Sequence, residues 1–278
     1  MTAFTLYSLV IAAIVASLVA GKFLRTYYRR ARRERAYRKP FEREWEFILA
    51  RRVPLYRRLP EDLRDALHQR INYFLLDKKI IGRGGQAIDD DVRVTIAGQA
   101  CLLVMAEPGE IFPGFKTILV YPDTFFSDQH HVEHGVVTRH REHRAGESWH
   151  RGPVILSWGD VLRGGDDADD GFNVVLHEFA HKLDEQNFAS NGQPLLRESH
   201  AYAEWVEVLS REYREFLERV ERRSNSVLDA YGATSPPEFF AVATESFFEK
   251  PLAMREHLPD LYRQMLRFYQ LDPASWRE

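Results

Sequence analysis

A chain of 278 residues with 45% hydrophobic and 28% charged side chains buries a substantial core as one large or two small domains, which excludes a disordered tail. Its formal net charge of -3 lacks the basic excess of a nucleic-acid binder. The single cysteine, Cys101, excludes an internal disulfide and a structural zinc site built on thiolates.

Phe4 to Ala20 holds no charged side chain and is dominated by Leu, Ile, Val and Ala. Continued through Leu24, with Lys22 able to snorkel, it reaches the roughly 20 residues that cross a bilayer. Residues 1–24 are therefore expected to form a transmembrane anchor. Arg25, Arg29, Arg30, Arg32, Arg33, Arg35, Arg38 and Lys39 follow, opposed only by Glu34. Residues 25–40 thus read as a basic juxtamembrane segment. The positive-inside bias then predicts a single-pass protein of the inner, cytoplasmic membrane with its body in the cytoplasm. A cleavable signal peptide fits less well, because no basic side chain precedes the apolar run and Leu18-Val19-Ala20 imitates a cleavage site poorly.

No repeat, low-complexity stretch or linker rich in Pro, Gly or Ser divides what remains, so residues 41–278 read as one domain. Pro60 opens a helix carrying Leu63, Ala66, Leu67, Ile71 and Phe74 at helical spacing. Asp89 to Asp91 cap a second, with Val92, Ile96, Ala100 and Leu103 on its buried stripe. Thr117 to Tyr121 and Gly152 to Trp158 read as short strands, which adds a small sheet to a mainly helical α+β protein. The stretch between them holds His130, His131, His134, His140, His143 and His150; its spacing matches no ligand pattern, and a solvated loop is expected. In Gly164 to Gly171 the four aspartates fail as a calcium loop, because the twelfth position from Asp166 is His177 and not a glutamate. Asp170 and its neighbours are instead expected to cap the next helix.

That helix contains His177-Glu178-Phe179-Ala180-His181. Residues at i and i+4 share a helix face, so both imidazoles reach one metal ion, with Glu178 placed to work on a bound water. The flanking Val174, Val175, Leu176 and Leu183 make the segment a buried helix. Two imidazoles and a carboxylate there leave costly polar groups to satisfy, which a zinc ion resolves. A catalytic zinc also needs a third protein ligand. Its best source is the segment from Glu238 to Glu245, an apolar helix start with a carboxylate at each end, in which Pro236 and Pro237 place Glu238 in the first turn. Tyr231, seven residues earlier, is a candidate donor to an oxyanion.

His177 to Asp184, with Tyr231 and Glu238-Phe239-Phe240-Ala241, resembles the Mlc titration factor A family of zinc peptidases. The tyrosine-to-glutamate spacing is also similar to that of the catalytic domain of anthrax lethal factor. The family likeness extends from Val94 through Leu103, Gly146 to Trp149 and Gly152 to Trp158, to Phe268-Tyr269-Gln270. The resemblance implies a zincin-like metallopeptidase domain, one zinc ion held by His177, His181 and Glu238, Glu178 as general base, Tyr231 as transition-state donor, and aminopeptidase-like activity. Asp184 matches the family's aspartate and is expected to support a ligand from behind, with Glu245 a weaker candidate for the same task.

The expected function is hydrolysis of a peptide or protein substrate by a zinc-activated water, with the membrane engaged through the N-terminal helix. The N-terminal anchor and the His-rich loop depart from the soluble family pattern, so the chemistry transfers better than the partner. A regulatory protein that sequesters a cytoplasmic transcriptional repressor is the alternative. A membrane-anchored structural protein with a zinc-stabilised core is a third reading.

Overall fold

The computed structural model describes residues 3–107, 109–122, 152–187 and 189–276; the His-rich stretch from His130 to His150 lies outside them. In chain order the described residues form α1 (Ala3–Arg38), α2 (Arg43–Arg52), α3 (Pro54–Arg58), α4 (Glu61–Asp77), β1 (Lys79–Gly82), α5 (Asp90–Leu102), β2 (Thr117–Tyr121) and β3 (Val154–Ser157). Then come α6 (Trp158–Gly164), α7 (Val174–Asp184), α8 (Ala201–Glu221), α9 (Pro236–Glu249), α10 (Pro251–His257) and α11 (Pro259–Tyr269). Among the described residues the fold is mainly helical with one small sheet, as expected.

Helix starts follow the residues that satisfy free backbone amides or need none. Asp89 accepts from the Val92 amide at 3.0 Å and opens α5. Pro236, Pro251 and Pro259 stand in the first turns of α9, α10 and α11, where a missing N–H costs nothing. α5 is buried on all sides from Val94 to Leu102, a wider burial than the single stripe expected from periodicity. Cys101 lies there, fully buried.

The sheet has order β1-β2-β3 with both pairings parallel, in register Lys79↔Thr117 and Ile118↔Val154. Ile118, Val120, Val154 and Leu156 are buried, while Ile155 is exposed. β2 has the expected bounds; β3 ends at Ser157, whose side chain accepts from the Asp160 amide and starts α6. β1 escaped the sequence reading, since Lys-Ile-Ile-Gly is short and follows α4 directly.

Behind the sheet, Phe179 of α7 meets Phe112, Phe74 and Phe115 with ring centroids 4.9, 5.7 and 5.8 Å apart. Aromatic burial of this kind contributes about 1.5–3 kcal/mol per side chain. It fixes α7 against α4 and the loop before β2. On the other side, α7 packs on α9, whose residues from Glu238 to Glu249 are all buried.

α1 runs without a break from the apolar N-terminal stretch into the basic segment. It is long and apolar enough to cross a membrane, and its apolar side chains from Ile11 to Leu24 are exposed. Its last turn joins the core: Ala36 is buried, Tyr37 packs edge-on to Tyr73, and the Lys39 carbonyl accepts from Asn72.

Candidate metal centre

α7 begins where Asn173 turns the chain from extended to helical backbone. Its side-chain oxygen accepts from the Val175 and Leu176 amides at 3.1 and 3.0 Å. The expectation that Asp170 caps this helix is thereby corrected. A cap must sit immediately before the first helical residue to reach the second and third amides, and Asp170 instead closes a turn onto the Phe172 amide. Once α7 is launched, its periodicity brings His177 and His181 to one buried face.

α9 is launched by Ser235, which accepts from the Glu238 amide, so Glu238 lies in the first turn as its two preceding prolines predict. There it faces α7. His177 Nε2 lies 2.9 Å from Glu238 Oε2 and 3.2 Å from His181 Nε2, and His181 Nε2 lies 3.4 Å from the same carboxylate oxygen. His177, His181 and Glu238 thus form a buried three-donor group.

This group fits a zinc ion. Ligand atoms about 2.0–2.1 Å from a tetrahedral zinc stand roughly 3.3 Å from one another, close to the spacings found. The donor chemistry points the same way. Glu245 Oε1 sits 2.7 Å from His177 Nδ1, so a neutral His177 donates there and presents a bare lone pair at Nε2. Three such acceptors facing one point repel unless a cation or a proton lies between them. Burial disfavours a charged His177, but Glu238 and Glu245 outweigh it and push its pKa up to about 10. Burial likewise works against an ionised Glu238, yet His177 and His181 hold its carboxyl well below the usual range.

The supporting layer centres on Asn173. Its backbone N–H donates to Glu245 Oε2, and its side-chain amide donates to the Gly164 carbonyl and to Glu249 Oε1. Glu249 has its second oxygen buried without a partner, and burial raises its pKa well above the carboxylate norm. One residue therefore caps the histidine helix and clamps the carboxylate behind His177. Neither Asn173 nor Glu249 was singled out from sequence. The signal for the first was an asparagine directly before an apolar helical run.

Glu245, the weaker sequence candidate, bonds His177. Asp184 Oδ2 accepts from the Gly192 amide at 2.8 Å. Gly192 has φ +73°, and a Cβ there would stand 2.6 Å from the Pro236 carbonyl oxygen. Asp184 thus pins a tight turn against the start of α9. Tyr231 lies in a 3-10 helix, Ala230–Thr234, whose first amides are capped by Asp229, and its ring centroid is 5.9 Å from that of His177. Glu178 is half-buried beside this group, close enough for its charge to raise the proton affinity of His177.

Residues 27–270 match the family described as "Glucose-regulated metallo-peptidase M90". An uncharacterized protein of Synechocystis sp. is 39% identical, over 87% of this chain and 89% of its own length. Mlc titration factor A of Escherichia fergusonii is 34% identical, over 82% and 86% of the two chains. That of Klebsiella pneumoniae subsp. pneumoniae is 33% identical, over 85% and 89%.

Proposed function

Because the chain belongs to the glucose-regulated metallo-peptidase M90 family, we propose that it is a zincin-type, zinc-dependent peptidase hydrolysing peptide bonds in an aminopeptidase-like manner. The observation that carries this reading is the convergence of His177, His181 and Glu238 on one buried point, with Glu178 alongside.

His177, His181 and Glu238 would hold one zinc ion, which lowers the pKa of a bound water toward neutrality and polarises a substrate carbonyl. Glu178 accepts the proton of the attacking water and passes it to the leaving amine. The Tyr231 hydroxyl donates to the oxygen on which negative charge develops. Glu245 keeps the His177 proton on Nδ1 and so keeps Nε2 available. The segment from Gly152 to Trp158, which contains β3, gives a substrate backbone an edge to pair with.

The test is a peptide-library digest comparing wild type, chelated protein and Glu178→Gln. The variant keeps its zinc and loses about 10²–10⁴-fold in kcat, the usual contribution of a general base. Full turnover by Glu178→Gln removes the mechanism.

We read residues 1–24 as a membrane anchor and the body as cytoplasmic, supported by the length of α1 and by the arginines that follow its apolar half. A second reading has this domain sequester a transcriptional repressor, since the Mlc titration factor A relatives are named for a partner. It requires Glu178→Gln to retain the full cellular effect. Loss of the effect together with hydrolysis favours the peptidase.

A further inference from the structure

α1 does not end where its apolar half ends. It continues as one helix to Arg38 and is fastened to the body by its basic half. Arg29 pairs with Glu110 at 3.3 Å, Arg32 donates to the Leu76 carbonyl, Arg70 donates to the Tyr37 hydroxyl, and Ala36 is buried. No flexible tether separates the apolar stretch from the domain.

At 1.5 Å per residue, Arg25 stands roughly 1.5 Å beyond Leu24, Arg30 roughly 9 Å and Arg38 roughly 21 Å. The headgroup layer on each side of a bilayer is about 5–8 Å thick. Arg25 is therefore within it, Arg30 is at its edge and Arg38 is well clear. Tyr27 and Tyr28, 60% and 64% exposed, occupy the depth favoured by interfacial aromatics. Arg32, roughly 12 Å beyond Leu24, holds the Leu76 end of α4 just outside the same layer, and Leu76 itself is exposed.

Resting on the anchor reading above, we propose that the Arg25–Arg32 turns of α1 and the adjoining end of α4 form a docking surface for anionic lipid headgroups. This surface holds the domain rigidly against a negatively charged bilayer. Arg25 is an exposed cation at headgroup depth. Arg30 is exposed at the layer's edge, where it pairs with Glu34 at 2.9 Å, an exposed pair of little strength that leaves its guanidinium open to a phosphate. Glu34 is the sole acidic residue between Arg25 and Lys39. A phosphate monoester or diester on a lipid is the complementary group.

The full-length chain, reconstituted in phosphatidylcholine with a minor fraction of phosphatidylglycerol, is extracted gently and its retained lipids are counted by native mass spectrometry. Wild type retains phosphatidylglycerol enriched about fivefold over the supply ratio, on the scale of one arginine near a charged surface. Arg25→Gln combined with Arg30→Gln returns the ratio to that of the supply, whereas Arg38→Gln leaves it enriched. Retained lipid at the supply ratio in wild type, or equal loss in Arg38→Gln, overturns the proposal. A parallel extraction from pure phosphatidylcholine vesicles with alkaline carbonate tests the anchor separately: release there sinks the anchor reading and the docking surface with it. Retention without enrichment sinks the docking surface alone.

Discussion

Glu245 lies outside the three-donor group yet bears directly on one of its members. By accepting a hydrogen bond from His177 Nδ1–H at 2.7 Å it fixes both the tautomer and the plane of that ring. Glu245→Gln preserves volume and is expected to weaken zinc binding about 10–100-fold in a chelator competition while the circular dichroism spectrum stays unchanged. Unaltered affinity would show that packing alone orients the ring. Lys78 is a second buried group with a measurable signature. Its side chain is fully enclosed, donating to the Phe112 and Phe115 carbonyls and pairing with Asp77. Burial pushes its pKa down to about 8 from 10.5, against the opposing pull of Asp77. The unfolded chain therefore holds the proton between those values when the folded chain does not, so this group makes stability rise with pH from about 8 to 10.5. Urea midpoints of wild type minus Lys78→Met, measured across that interval, should increase; a flat difference refutes the burial argument. At this scale the sequence was most readable where chemistry forces a pattern. His177, Glu178, His181 and Glu238 stand out because few other arrangements justify two imidazoles on an apolar helix. Glu245 was underweighted although it lies two turns beyond Glu238 on the same face of α9, and Asn173 was hidden behind four aspartates that attract attention by charge.

Among the elements, α7 and α9 form the working pair, and what sets their separation lies partly at their ends. Gly192 combines a left-handed backbone, φ +73°, with close approach to the Pro236 carbonyl in the first turn of α9. Asp184 at the end of α7 holds that turn in place. Gly192→Ala is expected to cost about 1–2 kcal/mol from backbone strain alone. Because the displaced turn carries Glu238, it should also lower zinc affinity. Gly114→Ala, where an added Cβ meets nothing within 4 Å, is the matched control and should change neither. Equal behaviour of the two variants in thermal melts and metal titration would detach the turn from the site. β2 and β3 were legible as apolar runs between turns, and α5 as a capped helix. β1 was not, because four residues carry too little periodicity to be separated from the helix before them. Nor does an apolar run announce that its sheet is parallel; that follows from crossovers formed far along the chain.

For the whole molecule, the junction between α1 and the body decides how a version shortened at its N-terminus behaves. Residues 36–39 contribute a buried alanine, an aromatic edge contact to Tyr73 and a carbonyl acceptor for Asn72. A chain beginning at residue 25 keeps them; one beginning at 41 does not. The shorter chain is expected to be less stable by about 2 kcal/mol, or roughly 4–8 °C in Tm for a domain of this size. Equal melting temperatures would make the last turn of α1 a mere spacer. Composition alone does not reveal this, because a basic juxtamembrane segment gives no sign of packing until α4 supplies its partners.

Cys101 has a practical corollary. It lies at zero exposure in α5, and enclosure drives its thiol away from ionisation, so in the folded state it is chemically silent toward electrophiles. A cysteine substituted at any exposed position is then the sole site that a maleimide dye can label without first deleting the native thiol. One fluorophore on the rim of the candidate metal centre, read against an acceptor in reconstituted lipid vesicles, turns the question of whether and how far the domain stands from a bilayer into a measurable distance.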